Sequence, residues 1–155
     1  MKILVLGLGN DILADDAFGI LAVRAVEADL GDRVHAVGCS LSGIALLDVL
    51  LDFDRAIIID AIHTRARPVG SILELAPLDL GPVLAPSPHF AGLPEMISLA
   101  KHLELDFPAE VKILAVEVAD KSTIGGPMTE AVRAAISPVV ARVREIVAEW
   151  EKAEG

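Results

Sequence analysis

The stretch Arg55-Ala56-Ile57-Ile58-Ile59-Asp60 decides the fold class of this chain. A run of apolar, β-branched residues is typical of a strand that is buried on both faces, as the strands of parallel sheets are. The opening run at residues 2–7, KILVLG, has the same character. Parallel strands are joined by crossovers that usually contain a helix, so the segments between such runs should be helical. The sequence therefore predicts an α/β protein.

The rest of the chain alternates between helical and strand patterns. Apolar residues recur at helical spacing over residues 17–30, and Asp15 and Asp16 precede them, where acidic side chains can cap a helix. Ser42 can cap a second, short helix that ends at Leu51. The remaining predictions are strands at residues 33–38, 71–75 and 111–118 and helices at residues 93–103 and 129–151. Pro138 lies inside the last helix, so that helix should either kink there or restart with Ser137 as its cap.

Nothing in the sequence divides the chain into parts. The 155 residues contain no repeat, linker or shift in composition, and that length suits one domain with its own core. Strands that alternate with helices predict one largely parallel sheet with helices on both faces and the carboxyl ends of the strands along one edge. Sheets of this class build their binding sites at that edge. We therefore expect a single domain over residues 1–155.

Charge and composition argue against several classes of partner. The formal net charge of −10 repels phosphate backbones and anionic membranes, so neither nucleic acid nor membrane is expected to bind. Charged residues interrupt each apolar run before it could span a bilayer, despite a mean hydropathy of +0.59. Cys39 is the one cysteine, so no internal disulfide can form. With no export signal, these features predict a cytoplasmic protein, and the negative charge favours a monomer.

The first predicted strand ends in Gly7-Leu8-Gly9, which is also how a dinucleotide-binding turn begins. The dinucleotide fingerprint needs a third glycine where this chain has Ile12, and an acidic residue at the end of the second strand, where it has Gly38. A tight turn between strand and helix explains the glycines without a ligand. No organic cofactor is therefore expected.

Three residues at separated strand or loop ends carry groups that bind metals. Asp16 follows the first strand, Asp60 ends the third, and His89 lies in a proline-rich segment, residues 76–94, that should form little regular structure. Two carboxylates and an imidazole can hold a divalent transition metal and leave positions open for substrate. Each residue also has an ordinary explanation, as a helix cap, an acceptor for backbone amides and a loop histidine respectively. Their spacing alone does not choose between these explanations.

Four motifs carry a resemblance to a known family. They are Gly7-x-Gly9-Asn10 followed by Asp15-Asp16-Ala17-Phe18-Gly19, the run IIIDAI at residues 57–62, Ser87-Pro88-His89 with Gly92-Leu93, and Thr129-Glu130-Ala131-Val132. In this order, and across nearly the whole chain, they resemble the hydrogenase maturation endopeptidase family. The resemblance implies a three-layer α/β/α sandwich around a mostly parallel, twisted sheet of about five strands.

The same resemblance implies a function and a set of site residues. These endopeptidases remove the C-terminal extension from the large-subunit precursor of a nickel–iron hydrogenase after nickel has been inserted. Residue by residue, the family's metal-contacting positions correspond to Asp16, Asp60 and His89, which are thereby implied to act in metal recognition and in catalysis. The nickel is expected to be the precursor's own ion, so that only a loaded precursor is cut.

One segment departs from the family pattern. Many members have an Asp-Gly-Gly-Thr segment after the second strand, whereas residues 38–43 here are GCSLSG, with no carboxylate and no threonine. Two alternatives therefore stay open: a non-catalytic module of this fold that binds metal or a partner, and a peptidase of this fold with a non-hydrogenase substrate. Cys39 and His89 could also suggest a cysteine protease. No feature of the sequence places those two side chains together, and a free cysteine is usually a small buried apolar residue.

Overall fold

The predicted strands and helices are all present, with bounds that differ by a few residues. A computed structural model describes residues 1–79, 93–120 and 122–155. Its strands are β1 (Ile3–Leu8), β2 (Val34–Cys39), β3 (Arg55–Ile62), β4 (Ile72–Leu75) and β5 (Glu110–Glu117), and its helices are α1 (Phe18–Glu27), α2 (Ala45–Leu50), α3 (Leu93–His102), α4 (Glu130–Ala134) and α5 (Ile136–Glu154). Two short 3-10 helices, Ala14–Ala17 and Pro77–Asp79, complete the described elements.

The five strands form one sheet in the order β2-β1-β3-β5-β4. The first four in that order pair in parallel, and β4 pairs antiparallel with β5 at the far edge. β1 and β3, at the centre, are buried along nearly their whole length, which is why their sequences are continuous apolar runs. The prediction of a mostly parallel sheet of about five strands is confirmed.

Apolar side chains fill both faces of the sheet. The core beneath α1, α4 and α5 includes Val5, Ile57 and Ile59, and the core beneath α2 and α3 includes Leu6 and Ile58. Successive strand residues alternate between the two cores because side chains in a strand point to opposite faces. The protein is therefore a three-layer α/β/α sandwich, as predicted. In the part of the chain that the structure describes, every helix is too short or too polar to cross a bilayer.

Gly7 in β1 and Gly19 in α1 let the helix begin directly against the sheet. A Cβ atom on Gly7 would lie 2.1 Å from the carbonyl oxygen of Gly19. A Cβ atom on Gly19 would lie 2.2 Å from the carbonyl oxygen of Leu8 and 2.6 Å from that of Ile59. No side chain fits at such distances, so both positions require glycine. This close approach holds the start of α1 over the carboxyl ends of β1 and β3.

Two predicted helix starts were wrong in detail. α2 begins at Ala45 without a side-chain cap, so Ser42 does not start it. The last helix restarts at Ile136, and Ser137 therefore lies inside α5 rather than capping it. Pro138 falls in the first turn of α5, where the missing N–H has no intrahelical partner to lose. A cap contributes only about 1 kcal/mol, so burial of the apolar residues of each helix decides where it begins.

Candidate active site

Asp16 and Asp60 lie at the same carboxyl edge of the sheet. Gly7 and Ile59 are opposite each other in the β1–β3 ladder, so Asp60 comes one residue beyond that pair. The 3-10 helix Ala14–Ala17, which carries Asp16, contacts β3. Asp16 is 6% exposed and Asp60 is fully buried, so neither carboxyl group is in bulk water. The β1–α1 turn thus brings two of the three predicted site residues to one edge of the sheet.

Asp60 lies within β3 rather than at its end, because the strand continues two residues farther, to Ile62. It is opposite Ala115 of β5, and its Oδ1 accepts a hydrogen bond from the backbone N–H of Ala61 at 2.8 Å. The expectation that Asp60 ends the strand was therefore wrong, whereas the expectation that it accepts a backbone amide is confirmed. The pairing of β3 with β5 therefore fixes the backbone that carries the Asp60 carboxylate.

His89, the third predicted residue, lies outside the described residues. Within the described ranges, with their gaps at 80–92 and 121, no group of three or more His, Cys, Asp or Glu side chains could hold a metal ion. Asp16 and Asp60 supply oxygen ligands of a type that suits a divalent ion, and a full ligand set needs a further group. The assignment of His89 to that set stays a prediction.

Asp15 is a fully buried carboxylate that binds a distant loop. Its Oδ2 accepts hydrogen bonds from the N–H groups of Ala119 at 3.0 Å and Asp120 at 2.8 Å. Thr129 donates twice at 2.7 Å, from its N–H to Oδ1 and from its hydroxyl to Oδ2. The predicted capping role was wrong, because no side chain caps the 3-10 helix or α1. The side chain instead ties the segment that carries Asp16 to the loop after β5.

Glu117, at the end of β5, fixes the loop that leaves β3. It is 1% exposed, and its Oε2 accepts the N–H of Thr64 at 2.8 Å. The hydroxyl of Thr64 donates to the other carboxylate oxygen, and the N–H of Arg65 lies 3.4 Å from Oε2. Thr64 follows Asp60 by four residues, so these bonds determine how the chain leaves the site.

The turn at Gly9 and Asn10 closes over the 3-10 helix. A Cβ atom on Gly9 would lie 2.0 Å from the carbonyl oxygen of Asp16, so only glycine fits. The N–H of Asn10 donates to that same oxygen at 3.2 Å, and Asn10 Oδ1 accepts the N–H of Ile12 at 3.1 Å. The glycine motif therefore positions Asp16, and its conformation is explained without a nucleotide.

Comparison with known proteins identifies the family. The family model of the hydrogenase maturation proteases matches residues 26–146, well over half of the chain. The chain belongs to the hydrogenase maturation protease family. Protein HupD of Bradyrhizobium diazoefficiens, a hydrogenase expression/formation protein, is 32% identical over 96% of this chain and 79% of its own length. The hydrogenase 2 maturation protease of Escherichia coli is 31% identical over 92% of this chain and 88% of its own.

A solved structure supports the same assignment. The hydrogenase maturating endopeptidase HybD from E. coli superposes with a TM-score of 0.83 at 30% identity, over 96% of this chain and 93% of that one. The resemblance inferred from the motifs is thus confirmed, and the protein is an endopeptidase of this family.

Cys39 lies near the candidate site, but its thiol is not suited to act as a nucleophile. It is opposite Leu8 in the β1–β2 ladder, at the carboxyl end of both strands. Burial raises the pKa of its thiol, the backbone N–H of Leu41 lowers that pKa, and the negative charge of Asp60 raises it further; the net shift is upward. Since the thiolate is the reactive form, a raised pKa keeps Cys39 as an unreactive thiol at neutral pH.

We expect the variant Cys39→Ser to keep precursor cleavage within about tenfold of wild type, since loss of a nucleophile costs at least about a thousandfold. The raised pKa also predicts slow alkylation by iodoacetamide at pH 7, with acceleration only above pH ~8.5, the ordinary thiol range. The control is the same thiol in denaturant, which should react faster at pH 8. Fast labelling of the folded protein at pH 7, together with inactivity of Cys39→Ser, would instead establish a cysteine protease.

Two contacts that hold segments of the candidate site were not foreseen from the sequence. Asp15 stands beside a predicted site residue, but its partner Thr129 is 114 residues away. The sequence did mark Glu117 as unusual, because it is the single acidic residue within the apolar run 111–118. A carboxylate at a buried strand position needs hydrogen-bond donors, which predicts a local network but not the identity of Thr64.

Proposed function

We propose that this protease removes the C-terminal extension of a nickel-loaded large-subunit precursor of a nickel–iron hydrogenase, and that Asp16, Asp60 and His89 contact the precursor's nickel ion. The observation that carries the proposal is the pair of buried carboxylates at the carboxyl edge of a fold shared with a hydrogenase maturating endopeptidase. Carboxylate and imidazole groups are suitable ligands for a divalent nickel ion whose remaining ligands come from the precursor.

The two carboxylates also suit peptide hydrolysis. Water attacks the scissile carbonyl carbon, the carbon–nitrogen bond breaks, and the proton released by the water is transferred to the leaving nitrogen. An ionised carboxylate next to the scissile bond can accept that proton and pass it on. A nickel ion bound between precursor and protease holds the bond beside the carboxylates and polarises the groups it touches. Recognition and cleavage then share one edge of the sheet, which makes nickel loading a condition for cutting.

The setting of the reaction follows from the substrate. We propose a cytoplasmic enzyme, because the precursor is a folded intermediate that receives its metal before it is cut. The reactive metal arrives with the substrate, so neither a resident metal nor an organic cofactor is needed. The net charge of −10 disfavours self-association and supports a monomer that binds neither membrane nor nucleic acid.

The test compares nickel-loaded and nickel-free precursor with the wild-type enzyme. We expect a single cut near the C-terminus of the loaded precursor, detected by mass spectrometry, and at least about a hundredfold slower cutting of the nickel-free form, the size expected when positioning of the reacting bond is lost. Equal cutting of both forms would show that the site does not recognise nickel. Binding of the loaded precursor without any cut would favour the non-catalytic module instead.

The histidine is tested in the same assay. His89→Ala should abolish the preference for loaded precursor, because it removes a predicted nickel ligand. His102→Ala is the matched control, since His102 is an exposed residue at the end of α3. If both variants keep the nickel preference, His89 is not a ligand.

A further inference from the structure

Among the residues that the structure describes, the outer edge of β2 is open. β2 is the terminal strand of the sheet, and no described strand pairs with it on the side away from β1. β2 is also more exposed than β1, which is buried throughout. In β2, Val34, Ala36 and Cys39 are half-buried and the other positions are exposed. An exposed strand edge presents a row of N–H and C=O groups that can pair with another extended chain.

The hydrogen bonds of β2 show which groups point outward. Ile3 N–H donates to the carbonyl of Arg33 at 3.0 Å, and Gly9 N–H donates to the carbonyl of Cys39 at 3.1 Å. In a parallel pair every second residue of a strand bonds to the same neighbour, so the odd-numbered residues of β2 face β1. Ala36 and Gly38 therefore direct their N–H and C=O groups to the outer edge.

A cavity of about 540 Å³ follows this edge. It is lined by five consecutive residues, 36–40, although side chains of consecutive strand residues point to opposite faces. Contact with all five is expected of a cavity that follows the edge of the strand. Ile20, Val23 and Arg24 of α1 form one wall. The volume lies within the range of about 300–1,000 Å³ that is usual for ligand sites.

The cavity leads into the candidate active site. Gly9 and Asn10, whose turn positions Asp16, line one end of it, next to Cys39. Cys39 is opposite Leu8 in the β1–β2 ladder and Ile59 is opposite Gly7 in the β1–β3 ladder, so Asp60 lies at the same level of the sheet as Cys39, across β1. A chain that lay along β2 would pass over the carboxyl ends of β2 and β1 to reach the two aspartates.

We propose that this cavity binds the C-terminal extension of the precursor as an extended strand, which adds a sixth strand to the sheet at the outer edge of β2. The inference rests on the proposed function and specifies how the substrate is held. An endopeptidase needs an extended chain at its site, and a strand edge binds such a chain through its main chain. The tail is the part of the precursor that the protease must hold as an extended chain, so the tail is the occupant.

The direction of the tail follows from the surroundings of the site. The loops at the carboxyl edge expose Ile12, Ile44 and Ile124, each of which is more than half exposed. These apolar side chains leave room there for the folded body of the precursor, since exposed apolar surface favours a protein partner. The tail therefore runs away from that body, from the site end of β2 towards its start, antiparallel to β2.

The first test uses wild-type enzyme and a synthetic peptide with the sequence of the precursor's C-terminal extension. Single backbone N-methyl groups are placed at successive residues, and each peptide is measured as a competitive inhibitor of precursor cleavage. We expect the inhibition constant to rise about tenfold at every second residue, where a main-chain hydrogen bond is lost, and to stay within about twofold between them. A uniform effect, or none, would overturn the proposal.

The second test removes an outward N–H from the enzyme. Ala36→Pro should raise KM for the loaded precursor about tenfold or more with kcat little changed, because it removes one pairing group and obstructs the edge while leaving the bonds to β1. Ile72→Pro makes the same change at the opposite edge, since the Glu117 N–H bonds to Ser71 and Ile72 therefore faces outward. That control should keep its KM, and thermal unfolding shows whether both variants fold.

The outcomes separate this inference from the proposed function. If wild type cuts the loaded precursor and Ala36→Pro does so with unchanged KM, the function stands and the strand pairing is wrong. If the same peptides, measured by calorimetric binding to wild type, show the alternating N-methyl pattern but wild type cuts no precursor, the strand pairing stands and the proposed cleavage is wrong.

Discussion

The variant Asp60→Asn is expected to lower kcat/KM for cleavage of the nickel-loaded precursor by about a thousandfold, the scale of a lost general base. Asparagine has nearly the same shape, and its Oδ1 can still accept the Ala61 N–H that Asp60 accepts at 2.8 Å. The substitution removes the negative charge, and with it both the affinity for a cation and the ability to take a proton. Asp16→Asn should act in the same direction for the same reason.

Glu117→Gln is the matched control for Asp60→Asn. Both residues are buried acids at the carboxyl edge, on neighbouring strands, but the Glu117 carboxylate is bonded to Thr64. We expect Glu117→Gln to lower kcat/KM by less than about tenfold, through a shift of the loop it holds rather than through the chemistry. If Asp60→Asn cleaves as well as this control, Asp60 takes no part in the reaction and the site must be sought elsewhere.

Asp15→Ala is expected to have the largest effect on stability. The change leaves the N–H groups of Ala119, Asp120 and Thr129 without the acceptor they bond in the folded protein. Loss of a buried, multiply bonded carboxylate should lower the free energy of unfolding by about 3 kcal/mol. For a domain of this length that corresponds to a fall in Tm of roughly 10 °C, measurable by calorimetry or circular dichroism.

A graded series separates the contacts of Asp15. Thr129→Val removes one hydroxyl bond and keeps the backbone donor, so it should cost about 1 kcal/mol. Asp120→Asn is the control in the same loop, because its Oδ1 can still accept the N–H groups of Ser122 and Thr123 and its side chain lies at the surface. We expect the fall in Tm to be largest for Asp15→Ala, smaller for Thr129→Val and smallest for Asp120→Asn. Equal losses for all three would show that the loop, and not the carboxylate, carries the stability.

Asp15→Ala should also reduce cleavage in the protein that remains folded. The 3-10 helix carries Asp16 one residue after Asp15, and its tie to the loop after β5 is lost in the variant. A displacement of a catalytic group by about 1 Å can cost a hundredfold in rate. Full activity at a temperature below the lowered Tm would show that Asp15 acts on stability alone.

The fold was predictable from local patterns. The runs at residues 2–7 and 55–60 are buried on both faces in the structure, because a central strand of a parallel sheet is covered by helices on each side. A strand of this kind has no polar face, so composition alone reveals it. The same logic placed Asp16 and Asp60 at one edge, since the carboxyl ends of parallel strands lie together.

Helix starts and capping roles were less predictable. Asp15 has the residue type and the position of a helix cap, but its carboxylate is turned towards the loop after β5. A cap and a long-range hydrogen bond compete for the same oxygen atoms, and only the packing of the chain decides between them. Ser42 and Ser137 fail as caps for a related reason, because apolar burial sets where α2 and α5 begin.

The sequence by itself determined the α/β class and the central strands, because both depend on the periodicity of neighbouring residues. The parallel sheet that these strands imply was enough to predict that Asp16 and Asp60 share one edge. Only the tertiary structure decided that Asp15 binds Thr129, that Glu117 binds Thr64 and that β2 is the terminal strand of the described sheet. The two contacts join residues that are 114 and 53 positions apart in the sequence. The position of β2 depends on the order of all the strands in the sheet. Such features follow from how the whole chain packs, and no local pattern of hydrophobic or polar residues encodes them.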